Sequence, residues 1–201
     1  MNYKDALSAS GNRGVTREYP HTPGIDAVGE VVESNSSEFE VGEKIVVTGY
    51  DLGMNTSGGF GQYISIPANW AISLPKDLSG AEAMSIGTAG LTAGLCVRKL
   101  LMNDLSPDSG DILVTGASGG VGSVAVMILS KLGFRVTALT GKTDQIDYLK
   151  SLGASSVIMR SEMEELGKPL QKGIYQGGVD TVGGSILSNF ISQTSQRGVI
   201  T

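Results

Sequence analysis

The residues with the clearest chemical purpose form one run, Ile112-Leu-Val-Thr-Gly-Ala-Ser-Gly-Gly-Val-Gly122. A short apolar stretch feeds a glycine-rich turn, and the turn opens directly into an apolar-periodic segment, Val121 to Leu132. The pattern Ala117-x-Gly119-x-x-Gly122 is a dinucleotide fingerprint with alanine at its first position. Each position has a mechanical reason: the first makes the tight turn, Gly119 lets backbone approach a pyrophosphate, and Gly122 lets the helix pack closely on the strand. The helix start then offers free N–H groups and a partial positive charge to phosphates. A glycine pattern alone is weak evidence, but this one has a strand before it and a helix after it.

The residues that follow bear on the choice of nicotinamide nucleotide. A site for the 2′-hydroxyl form places Asp or Glu about twenty residues after the glycines. No acidic residue occurs from Ser123 through Thr143. The second strand ends instead in Thr140-Gly141-Lys142, a hydroxyl, an open backbone and a cation. That combination suits a 2′-phosphate and lacks the carboxylate that would repel it, so NADPH is the expected cofactor. Arg160, just past the next strand, is a candidate second cation beside the adenosine, or else a surface residue.

Elements of two kinds must position these groups. Before residue 75, short β-rich runs are broken by glycine: Ala27 to Glu33, Lys44 to Thr48, Gln62 to Ile66 and Trp70 to Leu74. They read as a small, irregular, mostly antiparallel β domain, preceded by a helix-like Asn2 to Ser8. Ala81 to Met102 reads as a helix interrupted by Gly87, Gly90 and Gly94. From Asp111 strands alternate with helices, at Ile112–Thr115, Arg135–Leu139, Ser156–Met159, Val179–Val182 and Gly198–Thr201. That alternation predicts right-handed crossovers and a parallel sheet. Gly133 and Gly153 stand where helix C-caps belong. The gap from Arg160 to Gly178 has the weakest helical pattern. The expected class is α/β, a doubly wound parallel sheet over residues 76–201 preceded by a partial β domain over residues 1–75. The sequence reads as cut at both ends, with no strand ahead of the first helix and a last strand that stops at Thr201.

Composition narrows the function further. Glycine, at 29 residues, is about twice its usual share and lies in clusters without a period. A net charge of −5 spread along the chain does not make the concentrated positive patch that nucleic acid needs. Cys96 is the only cysteine and His21 the only histidine, too few for the ligands of a usual zinc site. No secretory leader and no bilayer-length apolar stretch is apparent, so a cytoplasmic protein is the default.

The chain resembles the medium-chain dehydrogenase/reductase superfamily, and within it the zinc-free quinone oxidoreductases of the acryloyl-CoA reductase (YhdH/YhfP) type. The similarity is carried by Asn2-Tyr3-Lys4-Asp5-Ala6-Leu7, Pro23-Gly24-Ile25-Asp26, Val41-Gly42-Glu43 and Gly58-Gly59-Phe60-Gly61-Gln62-Tyr63. It continues through Ile86-Gly87-Thr88-Ala89-Gly90, the fingerprint, Tyr148 to Ala154, and Val179-Asp180-Thr181-Val182-Gly183-Gly184. The resemblance implies a GroES-like catalytic domain followed by a Rossmann domain that binds NADPH. It implies hydride transfer to an activated C=C bond of an enoyl-CoA thioester, or to a quinone-like acceptor, without metal. By position, Ser118, Gly119, Gly120 and Val121 face the pyrophosphate and Thr140, Gly141 and Lys142 the 2′-phosphate. Tyr3 lies near the nicotinamide with Asn2 and Asp5 alongside, and Thr88 begins a segment that also reaches it. In this superfamily the sixth sheet strand often makes the contact of a homodimer, and that strand would lie beyond Thr201.

Two other readings compete. A short-chain dehydrogenase would show a similar glycine run but needs Tyr-x-x-x-Lys, and none of the tyrosines at 3, 19, 50, 63, 148 and 175 has a lysine four residues on. An NADPH-binding module without turnover would keep the fingerprint and use Tyr3 and Asp5 only for packing or capping.

Overall fold

The computed structural model describes residues 1–201, which divide into two compact units, Met1–Thr88 and Ala89–Thr201. The change in sequence character near residue 75 precedes that division, which falls inside a helix.

The first unit begins with α1 (Tyr3–Ala9) and carries β1 (Asp26–Glu30), β2 (Lys44–Thr48) and β3 (Ala71–Ser73) in one antiparallel sheet of order β1-β2-β3. Val46, Val47, Ile25 and Leu52 are buried within this unit. The run Gln62 to Ile66, β-rich in sequence, is not a strand. Its lead-in residues are tied to a loop instead: the N–H groups of Gly58, Phe60 and Gly59 bond the carbonyls of Thr22, Pro23 and Gly24 at 2.7, 3.1 and 2.8 Å. Trp70, expected to open a strand, closes a 3₁₀ turn, and the strand starts at Ala71.

Helix α2 (Gly80–Met102) runs from the first unit into the second. Of the three glycines that read as interruptions, only Gly87 breaks the helix, with φ 44° and ψ −151°, a conformation that residues with a Cβ avoid. Gly90 and Gly94 stay helical.

The second unit is a five-stranded sheet, all parallel, of order β6-β5-β4-β7-β8, built from β4 (Ile112–Val114), β5 (Val136–Thr140), β6 (Ser156–Met159), β7 (Tyr175–Val179) and β8 (Thr194–Ile200). Side chains alternate across it. Ile112 and Val114 pack with Val97 and Leu100 of α2, Ala125 and Leu129 of α3 (Gly120–Lys131) and Leu149 of α4 (Ile146–Ser151). Leu113 and Leu139 pack on the opposite face with Ile186 and Phe190 of α5 (Gly184–Ser192). Burying one such Leu or Phe side chain stabilises the fold by roughly 1.5–3 kcal/mol. Helices on both faces make this a doubly wound Rossmann sheet, the class the alternating pattern predicts.

Two strands of this sheet begin four residues before the sequence pattern puts them. β7 lies at Tyr175–Val179 rather than 179–182, because Gly177 and Gly178, at the end of the gap with the weakest helical pattern, are strand residues with φ of 154° and 155°. A Cβ on either would run into the backbone of Val199 or Leu113 in the adjoining strands. β8 begins at Thr194, four residues before the apolar run, since its polar start pairs with Tyr175 across an irregular register. No helix is long and apolar enough to cross a membrane.

Candidate active site

Strand β4 ends at Val114, and the chain turns through Thr115–Gly119 into α3. The left-handed residue of this turn is Gly116, φ 59°, one position before the fingerprint's first place. Alanine is therefore accommodated at 117, where it is fully buried and its N–H bonds Leu139 O at 3.0 Å. Gly122 has no such latitude: a Cβ there would stand 2.7 Å from the Ala117 Cα and closer still to the Gly116 carbonyl. The helix can pack on the turn only because Gly122 lacks a side chain.

Helix α3 is capped by Gly119 without a side-chain hydrogen bond, and its first turn holds no acid. Its leading N–H groups thus have neither an intrahelical acceptor nor a competing side chain. With the helix dipole, equivalent to roughly half a positive charge at this end, they form a site for an anion. Ser118, Gly119, Gly120 and Val121 are all in this turn and helix start.

The other residues expected to bind the nucleotide gather at the end of β5. The Ser118 and Thr140 hydroxyls are 2.9 Å apart, joining the fingerprint turn to the second strand. Thr140 Oγ1 also accepts the Lys142 N–H at 3.1 Å, which fixes the Thr140-Gly141-Lys142 bend. Arg160 comes to the same place: a Cβ on Gly141 would lie 3.1 Å from its guanidinium carbon. Its Nε is paired with Glu164 at 3.0 Å, and both side chains are about half exposed. The Arg160 guanidinium, two hydroxyls and a bare backbone position are thereby assembled in the second unit, next in sequence to Lys142.

The first unit holds the remaining candidates. Tyr3 opens α1 and is 81% exposed, its phenol available to a ligand. Asp5 is different. It is 3% exposed, and its carboxylate accepts the Asn2 N–H at 2.7 Å and the Ile25 N–H at 2.9 Å. Asp5 caps α1 and holds it to the residue before β1. The Asn2 amide donates to Asp26 Oδ2 at 2.8 Å.

Asp26 was not singled out as a site residue from sequence, although it lies in the Pro23–Asp26 stretch. Besides Asn2, its carboxylate accepts the Thr88 N–H at 2.9 and 3.0 Å and the Thr88 hydroxyl at 2.7 Å. It therefore ties the N-terminal segment to the kink at Gly87, where a Cβ would press on the same carboxylate. The one available signal was an acid opening a strand directly after Pro-Gly-Ile. No three His, Cys, Asp or Glu side chains come together as a metal-binding group.

Residues 1–76 match the family model of the alcohol dehydrogenase GroES-like domain. The chain is 45% identical over 194 residues to the acrylyl-CoA reductase AcuI of Ruegeria pomeroyi, covering 96% of this chain and 59% of that protein. The crystal structure of Escherichia coli K-12 YhdH with bound NADPH superposes on all of this chain and 62% of its own, at 42% identity and a TM-score of 0.96. That of Bacillus subtilis YhfP with NAD bound covers 61% of its own chain, at 47% identity and a TM-score of 0.93. The chain thus spans about three fifths of the length of these relatives.

Proposed function

The chain belongs to the medium-chain dehydrogenase/reductase superfamily, beside the AcuI, YhdH and YhfP proteins, and from that premise we propose that it serves an NADPH-dependent oxidoreductase acting on an activated C=C bond of an enoyl-CoA thioester or on a quinone. The observation that carries the cofactor half is the joined Ser118–Thr140 hydroxyl pair with Lys142 and Arg160 at its edge. The start of α3, with no side-chain cap, would receive a pyrophosphate, and the Arg160 guanidinium beside Gly141 would meet a 2′-phosphate.

When bound, NADPH supplies a hydride to the carbon β to the substrate carbonyl. The chain's own task is to orient the nucleotide and to meet the negative charge that develops on the carbonyl oxygen. Hydrogen-bond donors serve that purpose. The exposed phenol of Tyr3 is our candidate, with Asn2, held by Asp26, and Thr88 shaping its surroundings. No metal is invoked, because His21 and Cys96 cannot supply three zinc ligands between them. The partner is a small-molecule substrate rather than nucleic acid, and the setting we assign is the cytoplasm and its NADPH pool.

Single-turnover oxidation of bound NADPH by acryloyl-CoA, crotonyl-CoA or a quinone tests the reading. Acceptor-dependent oxidation supports it. Tight NADPH binding with no oxidation by any of these acceptors would instead favour a nucleotide-binding module.

A further inference from the structure

Asp180 follows β7, the strand beside β4, at the point where the strand order of the sheet reverses direction. Its carboxylate accepts the Thr115 hydroxyl at 2.6 Å through one oxygen and the Gly183 N–H at 2.9 Å through the other. Thr115, fully buried, is the first residue of the fingerprint turn. Its hydroxyl oxygen also accepts the Thr181 N–H at 3.0 Å, and its carbonyl accepts the Thr181 hydroxyl at 2.9 Å. The Thr181 hydroxyl occupies the place a Cβ on Gly116 would need. Both sides of the peptide leading into the left-handed Gly116 are thus held by the turn after β7.

A carboxylate here is otherwise unfavourable, since it adds negative charge beside an anion site. A carboxylate accepts through both of its terminal atoms, whereas an amide in its place would turn an NH₂ group toward one of the two donors. We propose that Asp180, acting through Thr115, is a positioning residue that sets the fingerprint turn for the pyrophosphate of a dinucleotide. This rests on the reading of that turn as the NADPH site.

The sign of one substitution separates positioning from plain electrostatics. If the charge of Asp180 only repelled the cofactor, Asp180→Asn would tighten binding. Positioning predicts that Asp180→Asn and Thr115→Val each weaken NADPH about tenfold, as loss of a hydrogen bond to a charged group implies. NADH should weaken by the same factor, because both nucleotides share the pyrophosphate. Thr115→Ser keeps the hydroxyl and should bind close to the unsubstituted chain. Calorimetric titration of residues 1–201, with the thermal midpoint of each ligand-free variant alongside, gives these readouts. Weakened binding at an unchanged midpoint, restored by serine, supports the proposal. Unchanged or tighter binding in Asp180→Asn overturns it, and so does equal binding by the valine and serine variants if Asp180→Asn fails to fold. An unsubstituted chain that binds neither nucleotide would overturn the site reading beneath it.

Discussion

Lys142 and Tyr3 are both exposed, so a ligand can reach either side chain. A 2′-phosphate would gain a charge-assisted contact from Lys142 that a 2′-hydroxyl cannot offer. Lys142→Ala should therefore weaken NADPH about tenfold, or about 1.4 kcal/mol, and leave NADH nearly unchanged in a fluorescence titration. An equal loss for both nucleotides would move Lys142 away from the 2′-position. Tyr3→Phe removes one hydroxyl from a side chain that packs little, so the fold should tolerate it. If that hydroxyl meets developing charge on the substrate, kcat falls while NADPH affinity holds. The reverse split would make Tyr3 a cofactor-binding residue without a chemical role. Asp5 shows the limit of reading single residues. From sequence, an acid three residues past Asn2 reads equally as a cap or as a reacting group, and the cap becomes visible only in its burial beneath two backbone N–H groups.

Elements were legible wherever a periodic apolar run coincided with its own boundaries. β2 and β6 lie where the sequence pattern puts them, and α3 follows the fingerprint directly. Misreadings came from glycine and polar residues whose reason is tertiary. Gly177-Gly178 carries no strand signal until Leu113 and Val199 are seen on either side of it. β8 opens four residues ahead of its apolar run, on polar residues that carry no strand signal of their own. Within the candidate site, the fingerprint and the Thr140–Lys142 bend were legible as local motifs. Asp26 was not, since its partners Asn2 and Thr88 are distant in sequence. At the start of α2, Glu82 is held below its ordinary value by hydrogen bonds from the side chain and backbone of Ser79. A carboxylate depressed in the fold adds stability above its unfolded value, here 4.5, and loses it as pH falls through the lower folded one. The thermal midpoint of the unsubstituted chain should thus exceed that of Glu82→Gln near neutral pH, with the gap closing in acid. A gap that persists below the folded value would mean the carboxylate's charge is not its source.

Over the whole molecule, the account reduces to nucleotide choice. Relatives of similar identity have been crystallised with NADPH, as in YhdH, and with NAD, as in YhfP, so likeness to them does not decide it. The NADPH reading rests instead on this chain's own residues: no carboxylate from Ser123 through Thr143, a lysine at 142, and the Arg160 guanidinium beside Gly141. Saturation should also show in stability, since ligand at 100 times its Kd adds about 2.7 kcal/mol to the state that binds it. The most direct test is calorimetric titration of residues 1–201 with NADPH and with NADH at the same ionic strength. The account predicts that NADPH binds at least about tenfold more tightly, a difference of about 1.4 kcal/mol. Equal affinities, or a preference for NADH, would contradict it.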